Sequence, residues 1–223
     1  MSKTRSPRSA DHPHVDAGNR YARDVVAGKI PACKWVILAC KRHLDDLEAS
    51  KGHNFPYRFD AKVAEKWCKF LELLPHTKGE WARKGQKLKL EPWQCFKTIC
   101  LFGRLRKQDG LRRFRKALIL EPRKTAKSTW AAGIGLGMFT IDGDHGAEVY
   151  SGATTEKQAW EVFKPARLMA MKTPALLSTT DHGQRQEHPP AGRRIKVRAA
   201  DWRPRRRCIA ELRDCRRVSR ACD

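Results

Sequence analysis

The 223-residue chain has no long apolar run. Trp130 to Ile141, its most extended weakly polar stretch, spans 12 residues and includes Gly133, Gly135 and Gly137, whereas roughly 20 apolar residues are needed to cross a bilayer. No membrane-spanning helix is therefore expected. Met1 to Asn19 carries Lys3, Arg5 and Arg8 but no apolar core, which excludes a secretory signal and predicts a disordered basic arm (residues 1–19) on a cytosolic protein. Negative charge is also scarce. Against 47 Lys and Arg stand only 24 Asp and Glu, a formal charge of +23 with pI near 10.2. Such an excess favours a polyanionic partner, nucleic acid before any other, because each neutralised phosphate releases counterions. Finally, none of the eight cysteines forms a Cys-x-x-Cys pair. A zinc site is excluded on that ground, and the cysteines are expected to be reduced, with Cys33, Cys40 and Cys68 among apolar neighbours.

What is present divides near Ser178. Residues 179–223 hold 12 Arg, one Lys and six acids, no Phe or Tyr, and six of Ile, Leu, Val or Trp. That composition cannot build a core. Residues 1–178 keep every Phe and Tyr, so the globular body lies there.

Within the body, Val36, Ile37, Cys40, Leu44 and Leu47 recur at helical spacing. A second such series is Ala64, Trp67, Cys68, Leu71 and Leu74, with Asp60 as N-cap and Pro75 as stop. Residues 20–90 are thus expected to be mainly helical. Beyond them the pattern alternates: strand Phe114–Leu120, helix Lys127–Phe139, strand Ala147–Ser151, helix Glu156–Met171 with Pro165 interrupting or kinking it. Strand, helix, strand, helix predicts an α/β fold with a parallel sheet.

The first strand–helix junction reads Glu121-Pro122-Arg123-Lys124-Thr125-Ala126-Lys127-Ser128-Thr129. A phosphate cradle requires converging backbone N–H groups at a helix start, a Lys for the β and γ phosphates, and a hydroxyl ligand for Mg²⁺. Lys127 and Ser128 supply the side chains. Both glycines of the G-x-x-x-x-G-K-S pattern are replaced, by Glu121 and Ala126. Asp142-Gly143-Asp144-His145 lacks the remaining ligands of a calcium loop and is read as a turn.

Other segments stand in a consistent order around this loop: Tyr21–Ile30, Ala39–Leu44, Phe55–Asp60, Leu90-Glu91-Pro92-Trp93-Gln94, Arg112–Arg115, and Gly152–Ala159. The series, over roughly residues 20–178, resembles the ATPase half of the large terminase subunit of tailed bacteriophages, the motor that pumps DNA into the capsid. The resemblance implies a P-loop NTPase-like parallel sheet in a partial ATPase domain over 91–178, preceded by the helical region 20–90. It implies ATP and Mg²⁺ as cofactors. Gln94 would bond the adenine, Arg123 would sit by the γ-phosphate, Lys127 would bind the β and γ phosphates, and Ser128 would ligate Mg²⁺. Lys124, Thr125, Ala126 and Thr129 would complete the binding loop. Arg123 and Lys127 are the implied catalytic residues. Terminases commonly read Arg-Lys-Asn-Gly-Lys-Ser here, so Thr125 and Ala126 depart from the family, and a Cβ at 126 crowds the phosphates. Partners would be double-stranded DNA, the small terminase subunit and the portal, with a possible homo-oligomer, in the cytoplasm of the bacterial host.

No apolar run ending in Asp-Glu follows, as a Walker B strand would; the nearest stretch, Cys208-Ile209-Ala210-Glu211, is flanked by arginines. The family's endonuclease domain is also missing. A frameshift near Ser178 accounts for both. Synonymous codons for the tail, read one base later, yield Ala-Ile-Val-Asp-Glu, and some of the new codons are forced, such as the glycine from Trp202. Residues 179–223 are then an Arg-rich, structureless tail, and the chain is the front half of the motor, expected not to turn over ATP. The alternative is a non-catalytic fragment that binds nucleic acid through its positive charge.

Overall fold

The computed structural model describes residues 11–143, 147–153 and 155–177. In chain order its elements are α1 (Pro13–Val26), α2 (Lys34–Ala49), β1 (Tyr57–Phe59), α3 (Ala61–Leu73), α4 (Gly79–Arg83), α5 (Pro92–Phe102), β2 (Arg104–Arg106), α6 (Lys127–Thr140), α7 (Glu156–Lys172) and α8 (Pro174–Leu177). The fold is mixed and mainly helical, with one small sheet.

Helix α1 begins inside the segment expected as an arm. Pro13 supplies a preset φ in the first turn, and Val15, Gly18, Ala22 and Val25 form a buried stripe. These small residues among polar ones give little hydrophobic signal, yet they allow close packing: a Cβ on Gly18 would stand 2.6 Å from Ile99 Cδ1 and 3.1 Å from the Phe96 backbone on α5. His14 then ties α1 to α3, bonding Glu65 through Nδ1 at 2.7 Å and Glu72 through Nε2 at 2.9 Å.

Asp60 caps α3 as expected, its carboxylate accepting from Val63 N at 3.1 Å. The apolar face of α3 feeds the main core, where Phe70, Leu71 and Leu74 meet Trp130, Ala132 and Leu136 of α6, Met169 and Ala170 of α7, and Leu176 of α8. The three glycines of α6 find part of their use here. A Cβ on Gly137 would fall 2.3 Å from Trp67 Cζ3, and one on Gly133 would fall 2.6 Å from Leu71 Cδ2. Helix α6 thus lies flat on the Trp67 ring, which is itself stacked on Phe102 at 3.7 Å. Helix α7 runs through Pro165 without interruption.

The sheet departs from expectation. Tyr57–Phe59 pairs antiparallel with Arg104–Arg106, and among the described residues Phe114–Leu120 and Ala147–Ser151 belong to no ladder. Ile119 does pack on the main core, but Leu118 and Leu120 are 86% and 84% exposed. Residues 117–120 form a continuous apolar run, so the sequence does not mark which of these side chains turns inward. A parallel strand also needs neighbours remote in sequence, and without a ladder partner its N–H and C=O groups are left to water.

Strand β2 was not expected, because it begins with Arg104, which is fully buried. Its guanidinium donates to the His43 carbonyl at 2.7 Å and to His43 Nδ1 at 3.0 Å, while His43 Nε2–H donates to Asn19 Oδ1 at 2.8 Å. This arrangement requires a neutral imidazole. Burial, with Arg104 and Arg42 nearby, pushes the His43 pKa down to about 3. Between pH 6.5 and 3 the unfolded chain therefore takes up a proton that the folded one refuses, and stability falls by about 1.4 kcal/mol per pH unit. His14 acts with opposite sign: burial lowers its pKa, but the hydrogen bonds to Glu65 and Glu72 outweigh that and raise it. Its contribution is complete below pH 6.5 and fades as pH rises through the folded value. Urea midpoints measured from pH 6.5 to 4.5 are expected to fall in the parent protein and to flatten in His43→Gln.

Candidate nucleotide site

The 121–129 loop closes against the start of α6 in an unusual backbone conformation. Lys124 and Ala126 have φ of +68° and +59°, and they are the only non-glycine residues with positive φ among those described. Alternation of this kind turns successive N–H groups toward one side, as anion-binding concavities require. Ala126 is the N-cap of α6, and no side chain caps the first turn, so its N–H groups are available to a ligand at the positive end of the helix dipole.

Lys127 opens α6 and turns its ammonium back into the loop, donating to the carbonyls of Glu121, at 2.9 Å, and of Pro122. Thr125 Oγ1 donates to Glu121 Oε2 at 3.1 Å. Arg123, Lys124 and Ser128 are exposed, Thr129 is half-buried, and no carboxylate pairs with Arg123 among the described residues. The loop therefore gathers three cationic side chains and a hydroxyl around one helix N-terminus, suited to a phosphate chain.

Helix α5 stands behind the loop. Gln94 is buried and its Oε1 accepts from Glu91 N at 3.1 Å, so its carbonyl oxygen caps α5. Gln94 O accepts from Thr98 Oγ1 at 2.8 Å, and Thr98 Oγ1 in turn accepts from Trp130 Nε1 at 3.1 Å. One short bonded path thus runs from Gln94 to the first turns of α6. Three contacts here were not foreseen from sequence. Lys97 Nζ bonds Glu121 Oε1 at 2.8 Å, and it lies over the rings of Trp93 at 4.6 Å and Trp130 at 4.3 Å. Burial lowers the Lys97 pKa, with Lys127 adding to the effect and Glu121 opposing it. The spacing of Trp93, Gln94, Lys97 and Thr98 along one face of α5 was the available signal.

Further along, Thr155 caps α7 by accepting from Gln158 N at 3.3 Å, and the Gln158 side chain is exposed. Thr154 and the Cys208–Glu211 stretch lie outside the described residues. No group of His, Cys, Asp or Glu among the described residues is arranged to hold a metal ion. Cys40, Cys68 and Cys95 are free and buried, whereas Cys33 is exposed.

No curated protein and no solved structure matches the chain. A family model does, over a span that contains α5, the loop, α6 and α7. Residues 92–184 match the family model of the terminase large subunit, ATPase domain.

Proposed function

We propose that the 121–129 loop binds Mg·ATP, as the nucleotide site of the ATPase part of a phage large terminase subunit. The observation that carries the reading is the left-handed pair Lys124 and Ala126, which sets Lys127 and an uncapped helix start around one concavity within the family-matched span. The residues fit the group: the backbone already holds the conformation that glycine would favour, and the donors converge.

In this reading Lys127 exchanges its contacts with the Glu121 and Pro122 carbonyls for the β and γ phosphate oxygens. Arg123, exposed and without a carboxylate partner among the described residues, reaches the γ-phosphate. Ser128 holds Mg²⁺ through its hydroxyl, and Thr129 and the 124–126 backbone complete the cradle. Gln94, its oxygen already used as a cap, offers its NH₂ group to the adenine. When bound, Mg²⁺ neutralises charge on the phosphate oxygens. The first two strands of a parallel sheet would be Phe114–Leu120 and Ala147–Ser151. The work of the assembled motor would be translocation of double-stranded DNA with the small subunit and portal, in the host cytoplasm, with endonuclease activity in the complete subunit. Residues 179–223 are read as out of frame on the break in composition near Ser178; the family match runs six residues past that break, to residue 184.

The site is tested by photolabelling the full chain with 8-azido-ATP and mapping the labelled peptides. Label should concentrate in residues 92–102 and be displaced by ATP with Mg²⁺. Label spread over surface lysines and unaffected by ATP would contradict the assignment. The charge of +23 favours a second reading, a nucleic-acid binder without turnover. It requires DNA affinity that falls steeply with salt and is unchanged by Lys127→Ala.

A further inference from the structure

Glu121 stands at the loop's first position, where the phosphate-binding pattern has glycine. A carboxylate there opposes an incoming polyanion, and little water is present to screen it: the side chain is 13% exposed, and that of Lys97 is 14% exposed. One carboxylate oxygen takes the Thr125 hydroxyl and the other takes Lys97, which reaches in from a different element, α5. The ammonium lies over the Trp93 ring at 4.6 Å and over the Trp130 ring at 4.3 Å.

We infer that Lys97 is a positioning residue of the nucleotide site: in contact with two tryptophan rings, it neutralises and orients Glu121 so that a triphosphate can enter the loop. The inference rests on the nucleotide reading above. The burden of an unpaired Glu121 grows with the negative charge of the ligand, so the effect of losing Lys97 should rank ATP, then ADP, then AMP. A role confined to packing would weaken all three alike.

The test is a set of titrations on the full chain with methylanthraniloyl-labelled ATP, ADP and AMP, comparing the parent with Lys97→Met, Glu121→Gln, the double variant and Lys97→Arg. Lys97→Met is expected to weaken ATP about tenfold more than AMP. Adding Glu121→Gln should return ATP affinity to within about threefold of Glu121→Gln alone. Equal losses for the three nucleotides, or no rescue by Glu121→Gln, would overturn the inference. Should Lys97→Met fail to fold, Glu121→Gln and Lys97→Arg carry the test. The first should tighten ATP relative to AMP and the second should stay near the parent; an unchanged ATP-to-AMP ratio in Glu121→Gln overturns the inference. A parent protein that binds none of the three overturns the nucleotide reading and this inference with it. A parent that binds them without the coupling overturns this inference alone.

Discussion

Trp67→Ala is expected to destabilise the protein by about 3–5 kcal/mol, the range for removing a large aromatic side chain from a core. Trp67 is 3% exposed and joins three helices: it projects from α3, stacks on Phe102 of α5 at an interplanar angle of 15°, and receives the flat face of α6 at Gly137. Collapse cannot readily fill the gap, because the residue opposite is a glycine with no side chain to move inward. The converse change is informative. Gly137→Ala places a methyl in the Trp67 ring and is expected to cost about 1–3 kcal/mol by overpacking. In a Trp67→Leu background that cost should shrink, since the atoms it meets, Cζ3, Cη2 and Cε3, are gone. Urea unfolding of the four proteins measures the coupling, and strict additivity would contradict the contact.

Lys127→Ala is expected to weaken Mg·ATP binding by about 100-fold or more, while leaving the unfolding midpoint nearly unchanged. A hundredfold is about 2.7 kcal/mol, within reach of losing charge-assisted hydrogen bonds to phosphate. The small effect on stability follows from where the ammonium sits without ligand. Its partners are the carbonyls of Glu121 and Pro122, in a loop whose Pro122, Arg123 and Lys124 are exposed, so water can replace it. Ala126→Gly should act in the opposite direction. A non-glycine residue in the left-handed region costs about 1–2 kcal/mol, part of which glycine gives back through its looser unfolded state. Removing the Cβ also lets the backbone approach the phosphates more closely, so binding should tighten.

Helices α2, α3, α6 and α7 were legible because their signals are local, whereas α1 and α5 were not marked in this way. Asp60 before an apolar stripe locates α3, and the change of pattern after Ala126 marks the start of α6 at Lys127. Pairing was not, because it depends on residues far apart. Arg104–Arg106 has a charged sequence that argues against a buried strand, and its burial becomes tolerable through partners remote in sequence, the His43 carbonyl and the Phe59 ring for Arg104. Leu118 and Leu120 show the reverse case, apolar residues of an expected strand that lie exposed with no ladder. The departure at Ala126 was visible in the sequence, and its positive φ shows that the backbone adopts the conformation glycine favours without the glycine. Lys97 was missed. Its place beside Trp93 and Gln94 on one face of α5 is a signal, but its partner Glu121 is evident only when α5 and the loop are placed side by side.

The central claim is that one helix start with its left-handed loop forms a phosphate site. Isothermal titration of Mg·ATP into the full-length parent, Ala126→Gly and Lys127→Ala tests it most directly. The expected order of affinity is Ala126→Gly above the parent, and the parent about 100-fold or more above Lys127→Ala. Three indistinguishable isotherms, or binding that survives the loss of Lys127, would contradict it.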